Sequence, residues 1–262
     1  MKLQIPSVLR ARGYRLYLAN GKRLIDLWLN GGAAIMGHTP PNLLRELKNT
    51  ASRGLYAPFP HFTEARFLKA LSKLLPGCNF RLYASPPPEL VSLFNSGKAK
   101  IWRPFTTPDS NSIIIPVLPG ISLWRNELPF GLCIACAPET LLQPLFEQLP
   151  ESDRLPPILL AVAARGVHDI LAAPERFAPA SAFPRIAKVL KQADNPWHQN
   201  GIYLELKNKP SGETAMQLAT WDNLFQKFLN AGFLLPPAPA HPLILPGELS
   251  VGEETKLAEL LK

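Results

Sequence analysis

"RARGYRLYLANGKRLIDLWLNGGAAIMGHTPPNLLREL", Arg10 to Leu47, is the stretch on which the fold turns. Tyr14, Leu16 and Leu18 alternate with polar residues, and Leu24, Ile25, Leu27 and Leu29 form a second apolar run. Between them stands Asn20-Gly21. Asn-Gly accepts the positive φ values of a tight hairpin turn, so the spacing predicts a β-hairpin. A glycine-rich turn follows. Pro40 and Pro41 suit the first positions of a helix whose apolar face is Leu43, Leu44 and Leu47, with Gly54 ending it. A second helix is predicted from Thr63 as N-cap. Its stripe is Phe67, Leu68, Leu71, Leu74 and Leu75, and Pro76-Gly77 stops it.

Downstream, "NFRLYAS" (79–85) reads as a strand that runs into Pro86-Pro87-Pro88 and a short helix, "ELVSLFNSG" (89–97). "SIIIPVL" (112–118) and "FGLCIACA" (130–137) read as buried strands. Helices are predicted over 139–149, 156–172, 182–193, 219–232 and 252–262, and strands over 201–207, 233–237 and 242–246. This mixture predicts an α/β core with a small α+β domain built from the two ends of the chain. The boundaries are set at 1–75 plus 200–262 for the small domain and 76–199 for the core.

The 262 residues carry a net charge of +8, unevenly spread. Residues 1–103 hold 16 basic and 4 acidic side chains, and the remainder holds 12 and 16. A basic front portion admits an anionic ligand or nucleic acid, or a face that meets the acidic half of a second subunit. The cations are spaced singly, at helix and strand intervals, with no nucleic-acid recognition motif. No run approaches twenty apolar residues, so no membrane-spanning helix is expected, and a cytoplasmic protein is the expectation.

Cys133 and Cys136 form a C-x-x-C inside an apolar run. On a strand, positions i and i+3 face opposite sides, which predicts two buried thiols and no metal site. His168 and Asp169 are adjacent on a predicted helix, so they diverge and make no dyad. No nucleophile elbow, Walker loop or dinucleotide fingerprint occurs.

Several of these features together resemble class III aminotransferases, the fold type I pyridoxal-phosphate (PLP) enzymes that include glutamate-1-semialdehyde aminomutase. They are the Asn20-Gly21 turn, Asp26 in the following strand, Gly37-His38 with Pro41, and Leu75-Pro76-Gly77 before a strand. The likeness is densest over 8–84 and returns over 200–262, where "LFQKFLNAGFLLPP" precedes a last helix opened by acids. The resemblance implies a fold type I core, shortened in its middle, and a homodimer. It makes Asp26, Gly37, His38 and Pro41 residues of the frame, with His38 held by packing and a backbone hydrogen bond.

The resemblance also implies where chemistry should be, and there the residues depart. The family's phosphate-binding turn aligns with Ser85, Pro86, Pro87 and Pro88. Proline has no backbone N–H, so up to three donors for a phosphate are lost. The family's strand-borne Asp, which holds the pyridine nitrogen, has no counterpart in the buried strands. Asp109 and Glu139 lie outside them. No lysine occurs between 101 and 187. Lys98 and Lys100 come too early, beside the predicted first helix of the core, and Lys188, Lys191, Lys207 and Lys209 stand at positions typical of solvent-facing side chains. The leading expectation is a non-catalytic aminotransferase-like protein with no cofactor and a binding or assembly role. One alternative is a shortened PLP-dependent aminotransferase or aminomutase using a non-standard lysine, Lys98 or Lys188. The other is an anion- or nucleic-acid-binding module acting through the basic N-terminal part.

Overall fold

A computed structural model describes residues 5–120, 123–125, 127–138, 143–173, 177, 183–207 and 215–262. The chain divides into two compact units, Met1–Thr39 with Pro174–Lys262, and Pro40–Ala173.

The first unit begins with β1 (Val8–Arg12), β2 (Arg15–Leu18) and β3 (Arg23–Asp26), an antiparallel meander. The predicted Asn-Gly turn joins β2 to β3: Gly21 has φ +78°, and the Asn20 side chain accepts the Lys22 N–H at 3.1 Å. The pattern did not reveal β1, which pairs with β2 across a turn at Gly13. It also ran the second strand to Leu29, whereas β3 ends at Asp26. There the Asp26 carboxylate accepts the N–H groups of Trp28 and Leu29 and diverts them from the sheet.

The second unit opens with α1 (Pro41–Ala51) and α2 (Thr63–Leu74). Leu43 and Thr50 are the buried residues of α1, and Leu44 points to water. In α2, Phe67, Ala70 and Leu71 are buried as the stripe predicts. Thr63 begins this helix without capping it, and its hydroxyl meets His61 Nδ1 instead. Next come β4 (Cys78–Tyr83), α3 (Pro88–Asn95), β5 (Ala99–Trp102) and β6 (Ile113–Pro116). A hairpin of β7 (Leu123–Arg125) and β8 (Leu128–Phe130) leads to β9 (Cys133–Pro138), α4 (Gln143–Glu147) and α5 (Pro157–Leu171).

The sheet of this unit has the order β4-β9-β6-β5, with β5 parallel to β6 and the other pairs antiparallel. The central strands are buried on both faces, which explains their unbroken apolar sequences. Ile114, Ile134 and Cys136 pack under α2 and α5, whereas Ile113, Ile115, Cys133 and Ala135 pack under α3 and α4. The two cysteines of the C-x-x-C therefore lie on opposite faces.

The chain then returns to the first unit with α6 (Pro184–Leu190), β10 (Trp197–Asn200), β11 (Tyr203–Leu206), α7 (Ala215–Asn230), β12 (Phe233–Leu234), β13 (Leu243–Ile244) and α8 (Val251–Leu260). Strand β12 adds in parallel to β3, and β10, β11 and β13 form a separate sheet. A capping box of Ser250 and Glu253 starts α8, and Glu253 also takes an ion pair from Arg15 at 2.7 Å.

The unit boundaries fall at 39/40 and 173/174, where the sequence reading set 75 and 200. Helices α1 and α2 carry their apolar faces to α5, and α6 packs on α8 and β10. No described helix is long and apolar enough to cross a membrane.

Candidate functional site

The turn after β4 is where the sequence resemblance sets a phosphate. Residues 84–87 leave the strand, with Pro87 at the N-cap of α3 and Pro88 as its first residue. A helix start normally offers four unpaired N–H groups. Here prolines occupy the N-cap and first position, so only Glu89 and Leu90 keep a donor at this end. Ser85 is exposed. The N–H of Ala84 donates to Asp153 Oδ2 at 2.8 Å, and Glu89 lies in the first helical turn. The turn thus presents prolines and the Asp153 carboxylate where donors would be needed, a poor setting for a phosphate dianion.

In sheets with parallel strands, ligands settle at the carboxyl ends of those strands. Beyond β6 the chain reads Val117-Leu118-Pro119-Gly120, and α5 lies directly on it. A Cβ added to Gly166 of α5 would stand 2.2 Å from the Pro119 carbonyl oxygen, closer than any real contact. Small residues, Ala163 and Gly166 among them, permit this approach. The cavity lined by Pro116, Leu118, Pro119, Gly120, Leu132, Ile134 and Ala163 holds about 10 Å³, room for one water.

Neither candidate lysine is enclosed. Lys98 precedes β5 and is exposed, and Lys188 is exposed on α6. Lys191 and Lys207 are exposed as well, while Lys209 and Glu139 lie outside the described residues. Lys100 pairs with Asp109 at 2.6 Å. The hydrogen bond from Lys100, then those from the Asn111 N–H and Ser112, hold the Asp109 carboxyl down at about 2. Lys100→Met is expected to return it toward the ordinary value of about 3.9 in an NMR titration. A lowered folded pKa stabilises above the unfolded value, so this contribution is lost as pH falls from about 4 through about 2.

Three of the frame residues, Asp26, Gly37 and His38, meet in one corner. Asp26 is 2 % exposed. Its Oδ1 accepts the Trp28 and Leu29 N–H groups at 2.9 and 3.0 Å, and its Oδ2 lies 2.9 Å from His38 Nε2. The His38 N–H donates to the Gly13 carbonyl at 2.8 Å. Gly37, at φ +92°, passes so near Gly13 that an added Cβ would come within 3.2 Å of its Cα. Pro41, assigned to the same frame from sequence, is the first residue of α1. The His38 ring bonds the Asp26 carboxylate, where the sequence reading expected a backbone partner.

Asp169 is buried and paired with Arg165, one helical turn earlier, and accepts Asn42 Nδ2 at 3.1 Å. This clip between α1 and α5 escaped the sequence reading, although Arg and Asp at i and i+4 signalled half of it. His168 is held below its usual pKa by burial and then by Arg165, Arg66 and Lys73. Burial pushes the Cys133 thiol up to about 12 and, with Cys78, raises that of Cys136. Buried, protonated thiols are poor nucleophiles. Among the described residues no group of three His, Cys, Asp or Glu could hold a metal ion.

Comparison with solved structures matches the whole of this architecture. An ornithine aminotransferase, PY00104 from Plasmodium yoelii, superposes with a TM-score of 0.66 at 12% identity, covering 100% of this chain and 93% of that one. The chain has an aminotransferase-like fold. An omega-transaminase from Sphaerobacter thermophilus gives 0.65 at 13% identity, over 98% of this chain and 90% of that one. A transaminase with PLP bound gives 0.63 at 14%. At such identities the aminotransferase-like fold is what is shared. No family model matches the sequence. An uncharacterized protein of Treponema pallidum (strain Nichols) is 40% identical over 77 residues, 29% of this chain and 25% of that protein. One of Borreliella burgdorferi is 34% identical over 105 residues, 38% of each. The match thus spans well under half of either relative's length.

Proposed function

We propose that this chain uses an aminotransferase-like fold as a non-catalytic scaffold with a binding or assembly role, and that it does not carry PLP. The observation that carries the reading is the turn after β4. Its prolines remove N–H donors where a phosphate would need them, and the Ala84 N–H is already given to Asp153. A dianion there would meet the Asp153 carboxylate with too few donors to offset the repulsion. The tight contact of Gly166 with Pro119 supports the same reading, because the cavity lined by Pro119, Ile134 and Ala163, beside the end of β6, holds only about 10 Å³. The exposed positions of Lys98 and Lys188 support it further. A lysine that forms a stable Schiff base is lowered in pKa by burial or a neighbouring cation, and neither position supplies enclosure.

The test is an absorbance titration of the full chain with PLP, followed by borohydride reduction and peptide mapping. The expected result is no saturable Schiff-base band and sparse labelling scattered over surface lysines. A stoichiometric band that disappears in Lys98→Ala or Lys188→Ala would overturn the proposal and favour the shortened enzyme.

A further inference from the structure

Residues 54–62, "GLYAPFPHF", join α1 to α2 and expose three rings: Tyr56 at 60 %, Phe59 at 54 % and Phe62 at 64 %. A single exposed hydrophobic residue is ordinary, but three bulky rings within seven residues mark an interaction surface. The loop is held in place by its own bonds. The Tyr56 hydroxyl donates to the Ala51 carbonyl at 2.8 Å, and the Phe59 N–H donates to the Ala57 carbonyl at 2.7 Å. The Leu55 carbonyl accepts the Ile158 N–H of α5, and Pro58 and Pro60 restrict φ. Rings on a pre-set backbone lose little freedom on docking. The segment contains no Asp, Glu, Lys or Arg, and its one titratable ring, His61, sets Nδ1 3.1 Å from the Thr63 hydroxyl.

The helices that enter and leave this loop supply one sign of charge. Residues 41–75 hold six basic and two acidic side chains. Glu46 is taken by Arg66 at 3.2 Å, a pair that ties α1 to α2, and Glu64 is half-buried. Arg45, Lys48, Arg53, Lys69 and Lys73 are all exposed and, among the described residues, stand outside every ion pair. Lys48 lies in the last turn of α1, Arg53 adjoins the loop, and Lys69 is within about 10 Å of the start of α2 along its axis. Two copies joined through the rings would set cation against cation, which disfavours self-pairing. Single-stranded nucleic acid needs cations along the same path as its stacking rings, and here only alanine, proline and histidine separate them. An uncharged aromatic tip flanked by cations suits the surface of an anionic bilayer. Aromatic rings settle between headgroups and acyl chains, and Lys and Arg are drawn to the anionic headgroups.

We propose that loop 54–62 docks this chain on an anionic lipid surface, its rings entering the headgroup layer while Lys48, Arg53 and Lys69 meet lipid phosphates. This gives the binding role above a partner and rests on that role alone. Vesicle binding and PLP binding are measured separately, so either reading can fail without the other. The test is co-sedimentation of the full chain with vesicles of phosphatidylglycerol and phosphatidylcholine in equal parts. Saturable binding is expected, and none to phosphatidylcholine alone. The double variant Phe59→Ser, Phe62→Ser is expected to weaken partitioning at least about tenfold, with unchanged circular dichroism. Arg53→Glu, or about 0.5 M salt, should weaken it less. In hydroxyl-radical footprinting of the wild-type chain, Phe59 and Phe62 should become protected on the anionic vesicles and stay reactive without them, a readout that needs no variant. No binding to anionic vesicles, binding indifferent to the double variant, or rings that stay reactive on the vesicle would each overturn the proposal. So would rings already protected by a second copy in the free chain, or rings protected by a single-stranded oligonucleotide in a chain that ignores the vesicles.

Discussion

Asp26→Ala is expected to cost the chain roughly 3–5 kcal/mol, read as a lower urea midpoint at unchanged slope. The carboxylate is 2 % exposed and accepts three hydrogen bonds, from the Trp28 N–H, the Leu29 N–H and His38 Nε2. Truncation leaves those donors in a region that water does not readily reach, and each orphaned donor carries its own desolvation cost. The corner also holds Leu29 and Asn30 at φ 47° and 50°. Non-glycine residues hold such angles only where their surroundings impose them. Asp26→Asn separates the contributions: its carbonyl oxygen can still accept both backbone N–H groups, and only the partnership with His38 changes. A loss of about 1–2 kcal/mol is expected for it. Equal losses for the two variants would show that the His38 contact, and not the turn, is what Asp26 supplies. With total stabilities of about 5–15 kcal/mol, the alanine variant is expected to lose yield as well, so both are best compared by equilibrium unfolding.

Gly166→Ala is expected to destabilise by about 2–4 kcal/mol, although alanine ordinarily improves a helix interior by about 1 kcal/mol. The added Cβ would meet the Pro119 carbonyl oxygen at 2.2 Å and its carbon at 3.1 Å. Both atoms are backbone, so no side-chain rotation relieves the clash. Either α5 withdraws from the sheet or the 116–120 loop moves, and each opens the core around Leu118, Ile134 and Ala163. The melting temperature is expected to fall by roughly 5–15 °C. Gly252→Ala on α8 is the control, because an added Cβ there meets nothing within 4 Å. It should leave stability unchanged or slightly raised. A neutral Gly166→Ala would mean that α5 stands off this loop, and would remove the tight contact with Pro119 as a support for the proposed function.

Much of the architecture is legible in local pattern. Asn20-Gly21 specifies its turn through the φ values those two residues tolerate, and α2 and α5 follow from apolar spacing that suits one helical face. The unbroken apolar run of β9 signals burial on both faces, and period-2 geometry sends Cys133 and Cys136 to opposite sides. The proline triplet is equally plain, since the lack of an N–H is a property of the residue itself.

Other features were not legible, because their causes lie far apart in the chain. Strands β5 and β10 are four residues each and gain their hydrogen bonds from partners, so no strong local pattern marks them. Leu44 and Leu47 both belong to the predicted apolar face of α1, yet α5 covers Leu47 in part and leaves Leu44 in water. The partner of His38 sits twelve residues away, and Asn42 meets Asp169 across 127. Intrinsic backbone preference and side-chain periodicity act within one or two turns of chain and can be read there. Which carboxylate meets which donor, and whether a glycine touches a carbonyl 47 positions away, depends on how separate elements close-pack, and packing is set by the whole fold.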